Sequence, residues 1–363
     1  MPEGRRMPLH DVGYRAWEGV PRPGSAAGVI AATGIRLAWK SRWLRRVVLF
    51  AWSPAIMFAG GFFAFEQAVE GGSVAAGREA ARRLDAFGMI GKLVATSLGG
   101  ELEDPDQARR IVWSRLLLAF MRAPQAVLLA VVVGLVAPRL IAGDLRARAW
   151  LVYFTRPVSR ADYILGKFGV LAAIVLVITL LPAVALWLVG VLVSPSLSVA
   201  VATWDLPLRV VGAAVAVTVP TVLLALAFSS LTAESRIATF AWFATWVACW
   251  IAHGALTGAD LAAAAKPREA AALDADPFAE DAAAFMPRRS HHLGWLARAA
   301  GIDDSVDRWA WLSPYHAQGV VQAWILGIER RFAVVVPPLV SLVAVAIGSL
   351  GVLFARVDAP ARA

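Results

Sequence analysis

FGVLAAIVLVITLLPAVALWLVGVLV, residues 168–193, runs its whole length without a charged side chain. An α-helix needs roughly 20 consecutive apolar residues to cross the hydrocarbon core of a bilayer, and this run is long enough alone. Five further charge-free runs lie at 47–65, 123–137, 210–233, 237–259 and 332–355. The run at 123–137 is short between Arg122 and Arg139, but IVWSRLLLAFM (111–121) can extend it. Arginines at its ends are expected to snorkel to the headgroups. The whole chain of 363 residues agrees: 59% is hydrophobic, only 17% is charged, and the mean hydropathy is +0.64. A soluble domain carries about a quarter charged residues, and a β-barrel would show alternating strands of about ten residues. The expectation is an all-α polytopic membrane protein with six transmembrane helices, an N-terminal interfacial helix and two large extracytoplasmic segments.

The charges between the runs say which side faces the cytoplasm. An even number of spans puts both termini on one side. Residues 1–46, 138–167, 229–236 and those after 355 hold 18 Lys/Arg and 7 Asp/Glu, a net of +11. The opposite segments, 67–121, 191–206 and 256–331, hold 15 Lys/Arg and 18 Asp/Glu, a net of −3. Lys/Arg in short loops near span ends mark the cytoplasmic face, so both termini and the 138–167 loop are expected there. The overall charge of +9 then needs no nucleic-acid partner. The first 46 residues contain no apolar core of about 7–15 residues, so no cleavable signal peptide is expected. The first span would be the uncleaved membrane signal. One cysteine, Cys249, excludes a disulfide framework within the chain. Only four of the 35 basic residues are lysine, a usage that points to a GC-rich bacterial genome; the expected location is the bacterial inner membrane.

Boundaries follow from these runs. Residues 1–46 form a cytoplasmic tail and interfacial helix, the first span is 47–65, and 66–121 is extracytoplasmic. Spans two and three, 122–138 and 167–193, enclose the cytoplasmic segment 139–166. An outer loop at 194–207 leads to span four at 208–231, a turn at 232–236 and span five at 237–257. Residues 258–331 are extracytoplasmic, 332–355 is span six and 356–363 a cytoplasmic tail. VIAATGIRLAWKSRWLRR (29–46) reads as one surface helix, with Ile35, Trp39 and Trp43 on a shared face. Tryptophan favours the membrane interface. ALTGADLAAAAKPREAAALDADPFAEDAAAF (255–285) is low in complexity and expected to be mobile. Ser313-Pro314 fits an N-cap followed by proline at the first helical position.

The segment YFTRPVSRADYILGK (153–167) is basic and has a defined build. LIAGDLRARAWLV (140–152) reads as a helix pairing Asp144 with Arg148 at i,i+4. Pro157 stops it and biases Arg156 toward an extended conformation. Ser159-Arg160-Ala161-Asp162 matches a capping box ahead of the apolar run from Ile164. Read from residues alone, the segment is an anion site, an anchor on anionic lipid or a socket for a partner. A helix, a break and a cap are more construction than a tether requires, which favours the partner.

Catalytic readings find little support. No His-Glu-x-x-His pair or Gly-x-Ser-x-Gly elbow occurs. Gly166-Lys167 and Gly91-Lys92 lack the rest of a phosphate loop, so no ATPase site and no cofactor bound by this chain is expected. His291-His292 reads as solvated rather than metal-binding, and His253 as a hydrogen-bonded interface residue rather than a proton relay. Glu66, Arg122 and Arg209 fall at span ends, where a charge costs little, so an ion pathway is not indicated. Thr179, Thr218, Thr221, Thr239 and Thr245 are expected to bond their own helix carbonyls. Pro54, Pro182, Pro220, Pro337 and Pro338 read as ordinary packing. Two other function classes stay open. One is a structural or assembly membrane protein using its outer segments as a binding platform. The other is a lipid-acting enzyme, for which Glu66, Asp205 and His253 are thin candidates.

LIAGDLRARAWLVYFTRPVSRADYILGK resembles the segment between spans two and three of ABC-2 type (type V) exporter permeases. There an acidic residue follows span two, then a helix, a Pro-x-Ser-Arg turn, and Gly-Lys opening span three. FSSLTAESRIATFAWF (228–243) is similar to their turn between spans four and five, and LSPYHAQ (312–318) to the segment before the last span. The long outer segments depart from many relatives. The resemblance implies an integral membrane subunit of an ATP-driven exporter, whose 140–152 helix docks in a groove of a separate P-loop ABC ATPase. By position Asp144, Arg146, Arg148 and Tyr153 would face that ATPase, with Arg156 beside them. Pro157, Ser159 and Arg160 would fix the break and cap, and Lys167 the membrane entry of span three. ATP and Mg would sit on the partner. A second permease subunit, identical or related, would complete the transporter.

Overall fold

The computed structural model describes residues 25–70, 104–122, 125–149, 158–275 and 308–357. Among them the regular elements are helical, without a strand. The helices are α1 (Ala26–Lys40), α2 (Arg42–Glu70), α3 (Pro105–Arg122), α4 (Gln125–Arg146), α5 (Arg160–Val193), α6 (Ser198–Ala202), α7 (Asp205–Ser230), α8 (Ser235–Ala275), α9 (Pro314–Ile325) and α10 (Phe332–Val357). A 3₁₀ turn, Ala310–Leu312, precedes α9. Six helical stretches are long and apolar enough to cross a membrane: Arg42–Gln67, Pro105–Arg146, Arg160–Val193, Asp205–Ser230, Ser235–Asp260 and Phe332–Val357. The protein is an all-α polytopic membrane protein.

α5 and α7 form the centre of the bundle. α2 and α4 pack on α5, and α4, α9 and α10 on α7. α2, α8 and α10 keep an apolar face turned outward, through Phe50, Ile56 and Met57, through Phe240, Trp250 and Ile251, and through Val340, Ile347 and Phe354. Such a face suits lipid tails, which are as apolar as the side chains themselves.

α3 and α4 together run antiparallel to α2. Arg109 lies opposite Glu66, Trp113 meets Phe62 edge-on at 5.4 Å, and Phe120 meets Phe58 at 5.6 Å. Farther along, Val132 shares a buried cluster with Val48 and Leu44. IVWSRLLLAFM therefore does extend the second span, with most of α3 buried. These edge-to-face aromatic pairs contribute about 0.5–1.5 kcal/mol each beyond the area they bury.

Two charges expected at span ends lie inside the protein. Glu66 is 1% exposed, and its carboxylate accepts from Arg109 Nε at 3.0 Å and from Trp113 Nε1 at 3.1 Å. Arg122 does not snorkel outward. It is 2% exposed, with its guanidinium 3.8 Å above the Tyr315 ring. α9 covers it from nearly two hundred residues farther along the chain, a neighbour no local pattern announces. A desolvated cation–π contact contributes about 2 kcal/mol, whereas an ion taken out of water costs several. The ring alone does not balance that charge. Arg209 does sit at a helix start, paired with Asp205 at 2.9 Å.

α9 turns back into the bundle. Arg308 and Trp309 both donate to Asp260 near the end of the fifth span. Ser341 Oγ of α10 donates to the Trp311 carbonyl at 2.8 Å, and Gln318 Nε2 donates to Thr221 Oγ1, midway along α7, also at 2.8 Å. The far end of α9 reaches the start of α7, where Arg209 Nη1 donates to the Ile325 carbonyl at 3.2 Å. Gly327, at φ +77°, then turns the chain toward α10. Ser313 and Pro314 open α9 as expected, although the Ser313 side chain makes no capping bond. His253 stacks on His316 at 3.5 Å. Four of the five threonines bond their own helix carbonyls; Thr221 is the one turned to a partner.

Two expectations about helix extent need correction. The surface helix 29–46 is broken at Ser41, because the serine oxygen accepts from the Leu44 amide and competes with the helical ladder. The Ala-rich stretch after Ala255 is helical as far as Ala275; alanine is the strongest helix former, and low complexity is no obstacle to it.

Candidate functional site

The end of the bundle that carries the connection between α4 and α5 gathers the residues singled out in sequence. α5 begins where expected. Ser159 is the N-cap at φ −74°, ψ 160°, and the Asp162 amide donates to Ser159 Oγ at 3.1 Å. Asp162 Oδ2 accepts in return from the Ser159 amide at 3.3 Å and from its hydroxyl at 2.6 Å. One turn on, Tyr163 and Lys167 stand at i,i+4 on one face of α5 and reach across to α4. Tyr163 Oη and Lys167 Nζ each lie 2.7 Å from Asp144 Oδ2. Tyr163 is fully buried and Lys167 9% exposed, so solvent screens this pair less than a surface bridge.

The expected Asp144–Arg148 pair is not formed. The helix 140–152 stops at Arg146 in a Schellman turn: Ala149 N–H donates to the Asp144 carbonyl at 2.9 Å, and Arg148 N–H to Leu145 at 3.2 Å. Arg148 occupies the left-handed position of that motif at φ 51°, which takes its side chain off the helical i+4 direction. Arg146 and Arg148 are exposed; Arg146 reaches Glu234 at 3.9 Å, an exposed contact worth little. Arg160 is also exposed. Tyr153, Arg156 and Pro157 lie outside the described residues.

Two more elements brace this end. α1 lies along the start of α5, close enough that a Cβ on Gly166 would fall 2.7 Å from Ile30 and one on Gly34 2.4 Å from Val170. The turn between α7 and α8 is fastened to α4 by Ser229. Pro138 has no amide to donate and interrupts the α4 ladder. Ser229 Oγ accepts from the amides of Ile141 and Ala142 at 3.2 and 3.1 Å and donates to the Pro138 carbonyl at 3.0 Å. Sequence reasoning placed FSSLTAES in a turn but gave Ser229 no role; a serine facing a proline-bearing helix is the signal that was available.

The architecture is thus six spans with an N-terminal helix laid on the third, a clamped connection after the second, and a short helix tucked in before the sixth. A family model described as ABC-2 family transporter protein matches residues 30–359. The chain belongs to the ABC-2 transporter family. No curated protein matched the chain closely enough for comparison. An ABC-2 family membrane protein has a permease role in ABC transport, and this assignment spans α1 through α10 rather than a single motif. Among the described residues no group of three or more His, Cys, Asp or Glu could hold a metal ion.

Proposed function

We propose that this chain is the transmembrane permease subunit of an ATP-driven exporter, moved by a separate P-loop ATPase that docks on the α4–α5 connection. The observation that carries the reading is the Asp144–Tyr163–Lys167 clamp at the family's coupling position. Force applied to the connection reaches α4 and α5 together, because the two ends are joined by a partly buried ion pair rather than by the connection alone. α1, packed on Gly166, and Ser229, bonded to the Pro138 carbonyl, carry the same displacement to the first span and to the α7–α8 turn.

Exposed Arg146, Arg148 and Arg160, with Tyr153, Arg156 and Pro157 of the connection, are the proposed contacts for the ATPase. Asp144, Ser159 and Lys167 hold that surface in shape. The positive-inside balance supports a cytoplasmic location for this end and for both termini, and the arginine-heavy basic usage favours a bacterial inner membrane. ATP and Mg belong to the partner chain. A second permease subunit, identical or related, would face the outward apolar surfaces.

The test is a mild-detergent pull-down from native membranes, repeated with residues 144–160 scrambled. A P-loop ATPase recovered with the native chain and lost with the scramble is the expected result. Normal insertion with no ATPase in either case would favour an assembly platform instead.

A further inference from the structure

Among the described residues, the buried guanidinium of Arg122 faces no counter-charge. Among the described residues no carboxylate pairs with it, and its Nε is buried without a hydrogen-bond partner. Its surroundings are nonetheless built. Tyr315 lies under the guanidinium and donates weakly to the Arg122 carbonyl at 3.4 Å. Gly319, one turn along α9, lets the guanidinium pack against its backbone: a Cβ there would fall 2.6 Å from both Cζ and Nε. The arginine also flanks the first turns of α9, whose partial positive charge repels a cation. Burial, lack of a partner and an adverse helix end all penalise the charge in this place, and a bound negative group would relieve all three.

We propose that Arg122, with Tyr315 and Gly319, forms a buried binding site for an oxyanion, a phosphate or carboxylate presented free or as the headgroup of an amphiphile. The planar guanidinium offers a carboxylate or phosphate two parallel donors. The helix start adds positive potential, and the tyrosine ring keeps the cation in place when the site is empty. The binding claim stands without the transporter reading; that reading supplies only its purpose, which is to hold an anionic cargo during transport.

The experiment uses the full chain in phosphatidylcholine nanodiscs, with no ATPase and no ATP, so its failure and the failure of the pull-down are separate results. Thermal unfolding is followed while inorganic phosphate is titrated in one arm and phosphatidylglycerol replaces part of the lipid in the other. A saturable upward shift in either arm, lost in Arg122→Gln and kept when the exposed Arg356 is changed to Gln, is the expected outcome. The arm that responds identifies a soluble anion or a headgroup. Ligand-free Arg122→Gln should unfold at the same temperature as the ligand-free wild type or higher, since an unbalanced charge has been removed. Gly319→Ala, which keeps the charge but displaces the guanidinium, should weaken binding at least about tenfold; it serves also if Arg122→Gln does not fold. Equal shifts in wild type and Arg122→Gln, or no saturable shift in the wild type, would overturn the site.

Discussion

Lys167 Nζ and Asp144 Oδ2 meet at 2.7 Å across the connection between two spans, with Tyr163 Oη on the same oxygen. The pair joins the end of one span to the start of the next, so the exposed arginines around it are carried on a fixed base. Removing one partner leaves the other half-buried and uncompensated. Lys167→Met should therefore lower stability by about 1–3 kcal/mol, and Asp144→Asn by a similar amount. The double variant should lose less than the sum, because each single change strands the other group. Thermal unfolding of the four proteins measures the coupling; additive losses would mean that the contact is incidental. With the ATPase present, either single variant should also reduce stimulated hydrolysis more than it reduces complex formation.

Ser229 offers a second test of how this end is held together. Ser229→Ala would leave the buried amides of Ile141 and Ala142 without their side-chain acceptor at the Pro138 kink. The expected cost is about 1–3 kcal/mol. Ser229→Cys keeps the size of the side chain but offers only a weak acceptor, so it should lose nearly as much. Wild-type stability in Ser229→Cys would assign the serine to packing.

These contacts mark where the sequence was legible and where it was not. The spans could be read because a bilayer demands long charge-free runs, and the Ser159–Asp162 box because both partners lie within one turn. The end of α4 was missed because its left-handed position is filled by Arg148, where glycine would have announced a stop. The Lys167–Asp144 contact was missed because a nearer partner at i+4 competed with it on paper. Arg122 looked like a snorkelling end because its cover, α9, comes from the other half of the chain. Only packing reveals that kind of burial.

The turn at Arg148 is itself a prediction. A residue with a side chain pays roughly 1 kcal/mol in the left-handed region that glycine does not. Arg148→Gly should raise the unfolding free energy by up to about that amount while removing an exposed charge. If the arginine is an ATPase contact, the more stable variant should bind the partner less well, and Arg148→Lys should restore part of that binding. A variant that is both more stable and fully coupled would remove Arg148 from the docking surface.

Glu66 and Arg109 pose the corresponding question at the opposite end. Both are buried, 1% and 9% exposed at the side chain, and Asp106 adds a 3.2 Å contact to the arginine. Glu66→Gln keeps the shape and still accepts from Trp113, but leaves Arg109 without its buried counter-charge. Breaking a buried pair from one side costs about 3–5 kcal/mol, whereas replacing both members by apolar residues is often neutral. Glu66→Gln should be strongly destabilised, and the Glu66→Gln, Arg109→Leu double variant, which keeps an acceptor for Trp113, much less so in thermal unfolding. If transport by the stable double variant is normal, the pair is a packing solution and nothing more. If the double variant is stable but transport-deficient, the ion pair serves the transport cycle rather than the fold.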